Sequence, residues 1–445
     1  MDVIEAAPAL LAALFEDGGA ELLARGGLGG SWPEALSCVP TSVLEVPDDP
    51  SAGLLQLLRL RDFWLRSGDL RPAIASTQAL IQLRTRAGGP DHPDTLVELA
   101  SLGALAERAG RGPEGSAMLE DALARLRPRV GDRDRRLAVV AAHAARSRVG
   151  RGELEGAEAL LRIVLRIRRG AGDRVGAAAA QLGEVRLRLG QPGAARPLLA
   201  EAHREAIEIE GPRSELALAR AQLLGRACAE AGDPAGAAEA LRPVYAALTS
   251  APERRAAVGL ELGLALLGSG GAQEGIRLVE ASVRWTRGAR GPGGEPHPAL
   301  ADRLATLARL RLARGRADEA EGLLLEALDV EQQRSGDTGH RVALRYVALG
   351  RMCANSGRID EALGWLEPAS SLLMSSLGPG DDRTVSAVEA YVAGLLERAR
   401  CASTGRDRAL VAELVGQGLH LAEPVLGRDH PHTAALRALA RGHRM

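Results

Sequence analysis

Residues 303–328 read RLATLARLRLARGRADEAEGLLLEAL. Before Gly315, the side chains Leu304, Leu307, Ala308 and Leu312 fall on one face of a helix with 3.6 residues per turn. After it, Ala320, Leu323, Leu324 and Leu328 do the same. Gly315 stands where one helix ends and the chain must turn with φ > 0, which glycine does at no steric cost. Ala308 lies seven residues before that turn and Ala320 five residues after it. Two small residues on either side of a tight turn let antiparallel helices approach closely. The stretch therefore spells a helical hairpin.

The same setting recurs along the chain. The anchoring glycines are Gly68, Gly110, Gly152, Gly190, Gly232, Gly270, Gly315, Gly357 and Gly405, separated by 42, 42, 38, 42, 38, 45, 42 and 48 residues. Seven residues before the glycine stand Gly103, Ala145, Gly183, Gly225, Gly263, Ala308 and Gly350 in successive copies. Five residues after it stand Ala73, Gly115, Ala157, Ala195, Ala237, Gly275, Ala320 and Ala362. A unit of this size cannot bury its own core, so stacking is required and a solenoid is implied. Aromatic residues are only 2% of the chain, so Leu, Ala and Val must fill the core, which suits helix-on-helix packing. The predicted fold is all-α: a right-handed α-solenoid, or superhelix, of about nine antiparallel helix pairs over residues 53–445. Residues 1–52 form an N-terminal cap or tether, with a short helix near Val3–Phe15 and then irregular chain rich in glycine and proline. The last repeat is degenerate, and a short third helix over His432–Ala440 closes the array.

The small–turn–small helix pair resembles the tetratricopeptide repeat. The plain unit of that family has about 34 residues, so both helices are longer here. The linkers sharpen the likeness: Gly89-Pro90-Asp91-His92-Pro93-Asp94-Thr95, Gly294-Glu295-Pro296-His297-Pro298 and Gly427-Arg428-Asp429-His430-Pro431-His432-Thr433. This long unit is similar to the kinesin-light-chain type of tetratricopeptide repeat common in bacterial proteins, over roughly residues 53–445. The resemblance implies that the first helix of each pair lines a concave groove and that the residue after the first small position points into it. Those residues are Ala104, Arg146, Glu184, Arg226, Leu264, Arg309 and Arg351. Arg146, Glu184, Arg226, Arg309 and Arg351 are the expected partner-binding residues. Guanidinium groups hold carboxylates bidentately, so the expected partner is an acidic protein or peptide segment. The paired asparagines with which kinesin light chains line this groove are absent: their places hold Ala100 and Ser101, Ala142 and His143, Ala305 and Thr306, Val347 and Ala348.

Composition narrows the chemistry. No lysine occurs, and all 56 basic residues are arginine, a pattern expected of a GC-rich bacterial genome. A phosphate-binding loop, a Schiff base and a protein-kinase ion pair all need a lysine. Net charge is −1, so no global field draws the chain to nucleic acid or to a membrane. The stretch 125–174 holds 14 arginines against six acids, and Arg162, Arg166 and Arg169 share one helix face as a candidate basic patch. No aromatic residues are interleaved there for base stacking, so nucleic acid is not expected. Asp429-His430-Pro431-His432, with His443 downstream, has metal-ligand residue types. Its recurrence as His92 and His297 at a similar phase, 24 to 27 residues past the anchor glycine, points instead to capping of a helix start. The four cysteines are unpaired in spacing, no signal-peptide pattern or long apolar run occurs, and a reducing cytoplasm is expected. No catalytic residue, cofactor or metal is expected. The functional expectation is a non-enzymatic scaffold or adaptor that captures a partner segment in the concave groove. The alternative is a regulatory sensor that binds a small peptide or metabolite and controls a transcription factor or kinase.

Overall fold

The computed structural model describes residues 50–291, 293–335, 339–404 and 407–442. The expected helix near Val3–Phe15, most of the expected cap, the anchor Gly405 and His443 lie outside the described residues. Within them the chain forms nineteen helices and no strand, only an isolated bridge between Arg290 and Pro296.

The helices come in pairs split by the anchor glycines. The first pairs are α1 (Pro50–Ser67) with α2 (Leu70–Gly88), α3 (Pro93–Arg108) with α4 (Gly112–Leu126), and α5 (Arg135–Arg151) with α6 (Leu154–Gly170). Next come α7 (Gly176–Arg188) with α8 (Pro192–Glu210), α9 (Glu215–Glu230) with α10 (Pro234–Ala247), and α11 (Pro252–Gly268) with α12 (Ala272–Gly288). The last are α13 (Leu300–Leu312) with α14 (Ala317–Ser335), α15 (His340–Asn355) with α16 (Ile359–Leu377), and α17 (Asp382–Thr404) with α18 (Arg408–Val425). A final helix, α19 (Pro431–Gly442), packs on α17 and α18. The expected nine pairs and closing third helix are thus present.

The chain divides into two compact units within α9, Met1–Arg220 and Ala221–Met445. In the first, every helix packs on the next from α1 to α8, and α3 also touches α5. In the second, the sequence of contacts runs from α10 to α19, and the first helices α13, α15 and α17 touch in succession. Each unit is therefore an all-α solenoid in which touching first helices form one layer, the side expected to line the groove.

The turns explain the glycines. All eight described anchors have φ between +70° and +96°, the region where an L side chain is strained. The small positions explain the pairing. A Cβ placed on Gly103 would lie 2.8 Å from the carbonyl oxygen of Gly115, and one on Gly115 would lie 2.5 Å from that of Gly103. Backbone meets backbone there, and Gly263 with Gly275 repeats the arrangement. In other pairs a leucine nine residues past the anchor fills the space over the small residue: Leu199 over Gly183, Leu241 over Gly225 and Leu366 over Gly350. These leucines are 1% exposed or less, and each contributes about 1.5–3 kcal/mol of burial.

Helix starts follow the linker chemistry. Asp69, Asp134, Asp233 and Asp407 accept a backbone N–H of the first turn. Histidine does the same in the Asp-His-Pro linkers. Nδ1 of His92 accepts from Asp94 N at 3.3 Å with Pro93 as the first helical residue, and His430 accepts from His432 N at 3.3 Å before α19. His297 accepts from Ala299 N at 3.1 Å, but α13 begins only at Leu300, so Pro298 precedes the helix rather than opening it.

Candidate functional site

The inner layer is where the expected contacts stand. In the first unit Ala104 on α3 is half-buried, while Arg146 on α5 and Glu184 on α7 are exposed. In the second unit Arg226 on α9, Leu264 on α11, Arg309 on α13 and Arg351 on α15 are all exposed, Leu264 at 42%. The alternation of a buried leucine, a buried small residue and this exposed residue is a direct consequence of helical phase: the small residue faces the pair partner, and its neighbour is rotated about 100° away.

The row residues differ in what holds them. Arg351 donates to the Ser386 carbonyl at 2.9 Å and to its Oγ at 2.7 Å, bridging α15 to α17. Arg309 reaches only Thr306 Oγ on its own helix, at 3.4 Å. Arg226 lies 3.8 Å from Glu230 one turn on. It also faces Glu261 on α11, whose carboxyl is pushed up by burial against the opposing pull of the Arg226 charge and a hydrogen bond from Gln222. Arg146 has no ion pair among the described residues. Beside it His143 is mostly buried, its Nδ1 lacks a hydrogen-bond partner, and its pKa is pushed down to about 4 by burial and then by the Arg146 and Arg61 charges. Three residues before the small position stand Ala100, Ala142 and Ala180 in the first unit and Gln222, Leu260, Ala305 and Val347 in the second, so this column is small or apolar except at Gln222.

Outside this row of positions, arginines are spent on joining pairs. Arg148 reaches Glu120 at 2.8 Å, Arg186 reaches Glu158 at 3.2 Å and Arg311 reaches Glu280 at 2.6 Å. Arg287 binds Glu326 at 2.8 Å, Arg358 binds Glu321 at 2.8 Å and Arg398 binds Asp360 at 2.6 Å. Half of the arginines of the basic stretch 125–174 are ion-paired. Arg125 and Arg129 converge on Asp91, whose carboxyl they hold below its usual range, chiefly through the Arg125 hydrogen bond. Arg135 binds Asp173 at 2.8 Å. Of the candidate patch, Arg169 binds Glu201 at 2.6 Å, while Arg162 and Arg166 are exposed on α6 without an ion pair among the described residues.

No family model matches the chain, and no curated protein does. Solved structures do match. A putative kinesin light chain of Podosopora anserina with nearly identical TPR-like repeats is 23% identical, covering 45% of this chain and 95% of its own, with a TM-score of 0.40. BtubC (BKLC) from P. vanneervenii is 18% identical over 48% of this chain and 90% of its own, at a TM-score of 0.38. The apo form of the quorum sensor NprR from B. thuringiensis is 13% identical, covers 81% of this chain and 99% of its own, and reaches a TM-score of 0.53. These are likenesses of fold. The shared fold is an all-α helical-repeat solenoid.

The helix array carries a second set of charges that sequence reading missed. Five residues before the small position, the side chain turns back toward the preceding pair's second helix. The column reads Glu98, Val140, Ala178, Arg220, Val258, Arg303 and Arg345, and its four charged members are all under 9% exposed. Glu98 is held by Arg61 at 2.5 Å and Arg84 at 3.4 Å. Arg220 donates to the Ala202 carbonyl at 2.8 Å, and Arg303 approaches the Ser282 carbonyl at 3.5 Å. Arg345 contacts Asp302 and lies 3.7 Å from the fully buried Glu331. The signal was present as charges in a column otherwise filled by Val and Ala.

Two groups in the array have ligand-type residues. His430 and His432 stack with ring centroids 5.3 Å apart, but His430 Nδ1 is engaged as a cap and its Nε2 faces Glu389 at 3.7 Å. Glu321, Cys353 and Glu361 converge in the second unit. Arg358 binds Glu321 at 2.8 Å and Glu361 at 3.0 Å, so a guanidinium already neutralises both carboxylates. Cys353 is buried, which pushes its thiol pKa up and disfavours the thiolate a metal would need. His203 Nδ1 donates to the Ala217 carbonyl, 3.0 Å away, as a packing residue. No described helix is long and apolar enough to cross a membrane.

Proposed function

We propose that this protein is a non-enzymatic interaction module whose inner-layer arginines hold an acidic segment of a protein partner. The observation that carries the reading is the contrast between two arginine populations. Arg148 and Arg311 are consumed by carboxylates of neighbouring pairs, whereas Arg146 and Arg309, two residues earlier on the same helices, stand exposed with no carboxylate partner among the described residues. A guanidinium left on a floor of Ala, Leu and Val is available to a carboxylate from outside, and the low polarity of that floor strengthens the pairing. Arg226 contributes after exchanging its long contact to Glu230, and Arg351 after exchanging its hydrogen bonds to Ser386. Glu184, in the same row, sets a repulsive position and so a direction for an acidic chain. A cytoplasmic scaffold or adaptor role fits this chemistry.

The test is binding of the full chain to an array of acidic and charge-neutral peptides, with wild type and an R146A/R226A/R309A/R351A variant compared from low to high salt. The variant should lose the acidic preference and most of the salt dependence. An unchanged pattern would refute the groove assignment. A second reading is a sensor that controls a transcription factor or kinase, favoured by the fold likeness to a quorum sensor over 81% of this chain. Native mass spectrometry separates the two: a bound peptide or metabolite of low mass supports the sensor, a co-purified protein the adaptor.

A further inference from the structure

Each first helix of the first unit packs on the second helix of the pair before it: α3 on α2, α5 on α4, α7 on α6. The residue five before the anchor glycine is buried in each of these first helices. It is Leu105 in α3, Ser147 in α5 and Val185 in α7, exposed by 5%, 4% and 1%. In α1 the same position is Phe63, and it is 52% exposed, edge-on to Trp64 with ring centroids 5.0 Å apart. No described helix precedes α1. A large aromatic ring thus stands uncovered where the repeat pattern elsewhere demands burial, and ends of repeat arrays need covering.

We propose that this chain's own residues 3–15 cover the Phe63 face of α1, taking the place that a preceding pair's second helix holds at every other junction of the unit. Three observations choose this occupant. Ile4, Ala7, Leu11, Leu14 and Phe15 recur at helical spacing, so the stretch offers one apolar face. Its charged flanks, Asp2, Glu5, Glu16 and Asp17, are all acidic, and α1 presents Arg59 and Arg66, both exposed and without an ion pair among the described residues. The intervening residues 16–49 can extend on the order of 110 Å, far beyond the ~10 Å between packed helix axes.

Amide hydrogen exchange on the full chain tests this, comparing wild type with L11D/F15D. Exchange in residues 54–67 should speed up by roughly tenfold or more in the variant while residues 93–442 stay unchanged. Phe63→Asp should in turn make residues 3–15 more readily cut by limited proteolysis. The proposal is overturned if L11D/F15D leaves 54–67 as protected as before. It is also overturned if protection of 54–67 in the wild type falls on dilution, which would place a second copy on the face, or if Phe63→Asp leaves proteolysis at 3–15 unaltered.

Discussion

Replacing Arg345 with methionine should loosen the junction between α14 and α15 far more than replacing the ion pair as a whole. Glu331 is fully buried on α14. Its nearest cations are Arg345 Nη2 at 3.7 Å and Arg341 Nη1 at 3.9 Å, and the Arg341 side chain is half-exposed. Without Arg345 the carboxylate stays in the core with one partly hydrated counter-charge. Truncating one side of such a pair costs about 3–5 kcal/mol. The Arg345 contact to Asp302 adds little, because the Asp302 side chain is 64% exposed and recovers its hydration. The double variant E331L/R345M removes both charges with similar volumes and should lie within about 1 kcal/mol of wild type. A global melting curve averages over many pairs, so amide exchange in residues 324–350 is the sharper assay. At about 1.4 kcal/mol per factor of ten, Arg345→Met should accelerate exchange there on the order of a hundredfold to a thousandfold. A double variant as unstable as the sum of its singles would refute the argument, because the loss would then come from packing rather than from a stranded charge.

Gly103→Ala should destabilise by about 1–3 kcal/mol, since its new Cβ meets the Gly115 backbone, whereas Gly322→Ala, with no atom within 4 Å, should stabilise by about 0.5–1 kcal/mol in the same denaturation assay. His143 titrates near 4 when folded against 6.5 when free, so the unfolded chain binds its proton first as pH falls. Stability should therefore drop between pH 6.5 and pH 4 by up to about 3 kcal/mol, and His143→Gln should lose that component when denaturation midpoints are compared across pH. His92→Ala should cost about 0.5–1 kcal/mol through loss of the cap on Asp94 N, and His92→Asn should restore it, as read by exchange in the first turn of α3.

The pairing of helices was legible because it rests on local chemistry. A glycine at positive φ, a small residue seven positions before it and another five after it are enough to specify a hairpin, and the structure uses them for backbone-to-backbone contact at Gly103 and Gly115. The linker histidines were legible as caps for the same reason, with the His297 helix starting later because its turn runs on to Ala299. The inner row could be numbered, but the bonds that occupy its members could not. Arg351 and Ser386 are 35 residues apart, and their meeting depends on how two first helices stack. Likewise the excess of arginine in 125–174 could not reveal that Asp91, Glu120 and Glu201 supply counter-charges from outside that stretch. Division into two units within α9 leaves no mark in the repeat, since Gly190, Gly232 and Gly270 continue the pattern across it.

The unequal repeat lengths fix which arginines remain free. Arg148 and Arg311 each stand four residues before an anchor glycine and reach a glutamate ten residues past the previous one, Glu120 and Glu280. Their repeats span 42 and 45 residues. Arg186 also stands four before its anchor, but its repeat spans 38 residues, and its partner Glu158 lies only six past the previous glycine. The shift of four residues is about one helical turn, so the glutamate moves back along α6 by one turn in the shortened unit. The slot that Glu120 and Glu280 fill in their own pairs is then occupied by Arg162, which is exposed and carries no ion pair among the described residues. A repeat shortened by one turn thus keeps its staple and turns a structural position into an uncommitted charge on the outer face of α6. Inner arginines become available by a different route: helical phase places them beyond the reach of the second-helix carboxylates that neutralise their neighbours two residues further on.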